Sequence, residues 1–117
     1  MCAVIVLAGG SYAQPVNAAQ VPELVADLPE SVEGAHHGHP DFRVRNKIFA
    51  TLSEAEDRAA LRLTATEARL LAERAPRTYR LVSDREPIAW VSVLLEQAEV
   101  EDVRGLLEEA WRLRAGA

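Results

Sequence analysis

At 117 residues, 49% hydrophobic and 5% aromatic, the chain has the size of one domain with a mainly aliphatic core. Its 18 acidic residues against 13 basic ones give a net charge of −5, which opposes long-range attraction to phosphate and excludes a uniformly basic nucleic-acid coat. The single cysteine, Cys2, excludes an intramolecular disulfide and a thiol pair for a metal.

The apolar opening Met1 to Gly10, followed by Ser11-Tyr12-Ala13, looks faintly like a secretory signal but lacks the basic segment such signals begin with. It is also shorter than the roughly 20 apolar residues that span a bilayer. Residues 1–16 therefore read as an N-terminal extension before a single domain over 17–117. A cytoplasmic location without a membrane partner is expected, and the richness in Arg and Ala, with Lys47 the sole lysine, fits a GC-rich bacterial genome.

From Asn17, the residues Val21, Leu24, Val25 and Leu28 recur at helical spacing until Pro29 ends the helix. Gly34, Gly38 and Pro40 punctuate an extended passage that carries His36, His37 and His39. Phe42 and Val44 alternate with Arg43 and Arg45, the period of a half-buried strand. Asn46 tolerates positive φ, so Arg45-Asn46 can turn the chain into Lys47 to Leu52 and close a β-hairpin.

Ser53 to Arg58 reads as a charged loop and Ala59 to Leu63 as a third strand, with Leu61 and Leu63 inward and Arg62 outward. Thr64-Ala65-Thr66-Glu67 is a capping box opening a helix that buries Ala68, Leu71 and Ala75 and stops at Pro76. Arg77 to Pro87 reads as a polar loop in which Tyr79 and Leu81 can form a short strand, and Ile88 to Leu95, around Trp90, reads as a strong strand. A final helix spans Val100 to Arg114, with Val103, Leu106, Leu107, Ala110 and Trp111 on one face. Gly105 weakens it by roughly 1 kcal/mol relative to Ala, which predicts a packing reason for the glycine. The fold class is α+β, an antiparallel sheet with helices packed on it.

Several of these segments together carry a resemblance. Leu28-Pro29 before Glu33-Gly34, the His37-Gly38-His39-Pro40 corner, Phe42-Arg43-Val44, Lys47 to Leu52, Trp90-Val91 and the ending Leu107-Glu108-Glu109-Ala110-Trp111 resemble the MmcQ/YjbR family over about Val21 to Arg114. The chain departs from that pattern at Pro87-Ile88-Ala89, where a glycine is expected before the tryptophan. The resemblance implies a double-wing-like α+β fold. Members are commonly labelled DNA-binding, a label resting on fold analogy, and the family brings no established catalytic residues.

Charge is uneven along the chain. Asp41 to Arg85 holds a local balance of +3, with −4 on either side. Arg43, Arg45 and Lys47, joined by Arg62 if its strand is adjacent, either form a wing that grips phosphate or are a solvated face paired with Asp41, Glu54 or Asp57. His37 and His39, two apart on a strand, would share a face, with Glu33, Asp41 or His36 as a third ligand, but no helical His-x-x-x-His supplies a second pair and Cys2 is remote, so no metal centre is expected. With Trp90 they are instead candidates for a ligand pocket.

Glu96, Glu99, Glu101, Asp102, Glu108 and Glu109 read as a solvated helix face, and neither a nucleophile elbow nor a phosphate loop occurs. The expectation is a non-enzymatic protein without cofactor. Its partner is DNA, bound through the arginine-rich hairpin, or else a protein or a second copy of itself.

Overall fold

The structure, a computed structural model, describes residues 15–36, 39–53, 55 and 57–116. In chain order the elements are α1 (Gln20–Ala26), β1 (Ser31–His36), β2 (His39–Val44), β3 (Lys47–Leu52), β4 (Arg58–Thr64), α2 (Ala65–Arg74), β5 (Tyr79–Ser83), β6 (Ile88–Leu94), a 3-10 turn (Leu95–Gln97) and α3 (Val100–Ala115). The strands form one antiparallel sheet in the order β1-β2-β3-β4-β6-β5. Pro15 and Val16, placed by the sequence in the extension, belong to the domain: Val16 is buried and its N–H donates to the Leu95 carbonyl.

The hairpin of β2 and β3 forms as its turn residues predict. Arg45 and Asn46 both have positive φ, 54° and 65°, the backbone a two-residue turn between twisted strands requires. Beyond the turn the register shifts from Arg43 opposite Ile48 to Phe42 opposite Ala50, leaving Phe49 as an extra residue. This β-bulge explains why Phe49 and Ala50, neighbours in sequence, are both fully buried, which strict alternation would forbid.

Ser31 to His36, read from sequence only as an extended passage, is a full strand paired with β2. Its start is fixed by the Ser31 hydroxyl, which donates to the carbonyls of Val25 and Leu28. The α1–β1 corner is held from the other side by Trp111 Nε1, which donates to the Pro29 carbonyl at 2.9 Å.

The helices cover one face of the sheet. Phe42, Val44, Ala50, Leu61, Leu63, Ala89, Val91 and Val93 form the core with Ala65 and Ala68 of α2 and Val103, Leu107 and Ala110 of α3. Thr64 caps α2 by accepting the Glu67 N–H at 3.2 Å, the expected half of the capping box. The Glu67 carboxylate turns instead into a groove between α2 and α3. Gly105 has no close packing to explain it, since nothing lies within 4 Å of where its Cβ would stand.

Candidate functional site

The face of the sheet away from the helices is where the candidate arginines gather. On β4, Ala59, Leu61 and Leu63 point into the core, so Arg58, Ala60 and Arg62 point the other way. Register carries that face across the sheet: Arg58 stands opposite Leu94, Arg62 opposite Trp90, and Ala60 opposite Ser92, which faces Arg80 on β5. On the other side, Ala60 meets Thr51 and Thr51 meets Asp41. The helix-free face therefore holds Arg43, Arg58, Arg62 and Arg80 spread from β2 to β5 and a half-buried Trp90 beside Arg62, with Asp41 as its one strand carboxylate among the described residues.

Asp41 is fully buried and grips Arg43 in two contacts, Nε to Oδ1 at 3.0 Å and Nη2 to Oδ2 at 3.2 Å. That fork holds the Arg43 guanidinium more firmly protonated than usual. The carboxylate fits because Gly34 stands opposite it without a side chain. Arg58 is tethered more lightly, Nη1 donating to the Ser92 hydroxyl at 3.1 Å.

Arg62 differs from both. Burial lowers its pKa, and so does the neighbouring Arg114. Its Nη1 is buried without a hydrogen-bond partner among the described residues, as is Nε of Arg114. The opening for this pair follows from the register: β3 and β4 pair only over Ala50 to Leu52, while β4 continues along β6 to Thr64.

The expected wing is thus divided. Arg45 does not share a face with Arg43, because it lies in the turn. There its Nη1 donates to the Ala115 carbonyl at the end of α3, at 3.2 Å, and Glu30 stands 3.8 Å from its Nε. Lys47 is exposed at the start of β3. Arg43 and Arg62 stay on the sheet face, joined by Arg58 and Arg80, which the sequence did not single out. Their signal was present only as the polar half of each strand's alternation.

The histidine pocket is not assembled. His39 lines a small hollow with Thr51, Leu52 and Ser53. Trp90 lies three strands away and several residues along, more than about 15 Å by strand spacing. His37 lies outside the described residues. Among those described, no group of three or more His, Cys, Asp or Glu side chains is placed to hold a metal ion.

A concavity lies on the other side, between α2 and α3, lined by Glu67, Glu101, Asp102 and Glu109 together with Tyr79. Burial raises the Glu67 pKa, with Glu109 adding to the effect and Arg112 opposing it. Glu109 is lowered by its hydrogen bonds from Arg112. Burial raises the Tyr79 hydroxyl, reinforced by Asp102 and Glu99. Glu101 and Asp102 are exposed, as expected of a solvated helix face, whereas Glu109 is half-buried.

An antiparallel six-stranded sheet with three helices, carrying neither a nucleophile array nor a metal cluster among its described residues, defines a class of small α+β domain. The YjbR family model matches residues 26–113, and the chain belongs to that family. The fold is shared with the crystal structure of the Deinococcus radiodurans protein DR2400, which carries a DUF419 domain. That match has a TM-score of 0.73 at 19% identity, covering 83% of this chain and 77% of that one. A Pseudomonas syringae protein structure is also similar, with a TM-score of 0.64 at 15% identity, covering 85% of this chain and 99% of that one. No curated protein matches the chain. No helix among the described residues is long and apolar enough to cross a membrane.

Proposed function

We propose that the protein is a non-enzymatic nucleic-acid-binding module that uses the helix-free sheet face rather than the hairpin tip. The observation that carries this reading is that Arg43, Arg58, Arg62 and Arg80 share one face of the sheet with Trp90, which stands directly opposite Arg62. An open sheet with an aromatic ring among arginines suits unpaired bases, which stack on the ring while the guanidinium groups hold the phosphates. The proximity of Arg62 and Arg114, each lacking a counter-charge among the described residues, supports it, since bound phosphate would offset two like charges. DNA is the expected partner, in single-stranded form.

The test is fluorescence anisotropy of labelled single-stranded and duplex DNA between about 20 and 200 mM salt, where several phosphate contacts cost orders of magnitude in affinity. Reversing Arg43 is a poor probe, because it would press a second carboxylate against Asp41. Arg58→Gln with Arg80→Gln, and separately Trp90→Ala, should each weaken binding about tenfold or more. Arg62→Met should weaken it as well while leaving the unfolding midpoint unchanged or raised, because the orphaned donor goes with the charge. Absence of binding at the lowest salt refutes the reading.

A protein partner is the second reading, favoured by Val32 on β1 and Val82 on β5, which are 61% and 62% exposed at the two edges of the sheet. Such an interface would be nearly insensitive to salt.

A further inference from the structure

The groove between α2 and α3 lies across the sheet from Trp90, and nucleic-acid binding makes no use of it. It encloses about 510 Å³, within the range of small-molecule sites. Its carboxylates are unequally occupied. Glu101 accepts Arg104 at 3.3 Å and Glu109 accepts Arg112 Nε at 3.0 Å. Glu67 on α2 and Asp102 on α3 have no cation within salt-bridge distance among the described residues.

Tyr79 sits below them, only 8% exposed. Its hydroxyl, which makes no hydrogen bond to any described residue, is not shut in the core but opens onto the groove. It therefore offers both a donor and an acceptor into the groove. Leu71 and Leu106 give the walls an apolar part. Gly105 leaves the α3 wall open, with no heavy atom within 4 Å of a Cβ position. A mid-helix glycine costs about 1 kcal/mol, and here no packing contact accounts for it.

We infer that this groove binds an organic cation: an ammonium or guanidinium group between Glu67 and Asp102, hydrogen-bonded to the Tyr79 hydroxyl, with an alkyl stem along Leu71 and Leu106 in the space beside Gly105. A bare metal ion fits poorly, because the carboxylates do not gather into a three-ligand group. An elongated ligand meets separated carboxylates and apolar wall together. The same chemistry is offered by a free amine and by an arginine side chain of another protein.

The experiment is a titration of the full chain, followed by amide chemical shifts at low salt. Agmatine serves as the free-amine probe and a blocked Gly-Arg-Gly peptide as the side-chain probe. Saturable shifts centred on Tyr79 and Gly105 are expected, with a Kd of about 1 mM or tighter. Asp102→Asn should weaken binding by about tenfold or more, the value of a charge-assisted hydrogen bond. Gly105→Leu, a variant that improves the helix and so should fold, should abolish binding by filling the space. Saturation by agmatine alone assigns the site to free amines, and saturation by the peptide assigns it to a protein side chain; either supports the cation site. No saturable shift with either probe, or binding that both variants leave intact, overturns it.

Discussion

A Cβ on Gly34 would lie 2.9 Å from Asp41 Oδ1, a carboxylate with no room to retreat because Arg43 holds both its oxygens. Gly34→Ala should therefore destabilise the protein by about 1–3 kcal/mol, the usual cost of overpacking. In an Asp41→Ala background the same substitution should cost little, and urea unfolding of the four proteins would show that coupling as a failure of additivity. Glu67 offers a second test. Its position in the first turn of α2 favours a negative charge, yet burial and Glu109 outweigh that and raise its pKa. The folded state thus holds the proton more tightly than the unfolded chain. The contribution to stability is complete below the unfolded value, near pH 4, and is lost as pH rises through the raised folded value. Glu67→Gln should stabilise the protein at pH 7 by an amount that shrinks towards zero near pH 4; a difference that stayed constant with pH would contradict the assignment.

Among the elements, those whose cues are local were legible in the sequence. The Arg45-Asn46 turn, the Thr64 cap, the stop at Pro76 and the apolar stripe of α3 each follow from adjacent residues. What escaped depends on partners distant in the chain. β1 lacks alternation because Gly34 and Glu33 answer to Asp41 and Phe42 across the ladder. The Phe49 bulge is visible only once β2 is alongside. The face bearing Arg58, Arg62 and Arg80 needs the strand order, and the acidic groove exists only because α2 and α3 pack side by side over Tyr79. Gly105 was noticed for a cost that its surroundings do not repay by packing. Gly105→Ala should accordingly stabilise α3 by about 1 kcal/mol, raising Tm by roughly 4 °C in calorimetry.

For the molecule as a whole, the net charge of −5 conceals a division by side. The sheet face is basic around Trp90, while the groove on the helix side is acidic around Tyr79. The two proposed ligands, a polyanion and an organic cation, would lie on opposite faces of one core. The sheet that separates them ends at β1 and β5, each with one rim unpaired among the described residues. Strand rims of this kind recruit copies of themselves, and joining β1 of one molecule to β5 of the next would leave a fresh β1 and β5 at the ends, so the series would never close. The break in register at β5, where Val82 is inserted between Leu81 and Ser83, spoils one of the two templates. Deleting Val82 should straighten that rim and promote edge-to-edge growth into fibres, visible as concentration-dependent light scattering with a lag. The irregularity that looks like a flaw in the ladder thus works as a guard against edge-to-edge association.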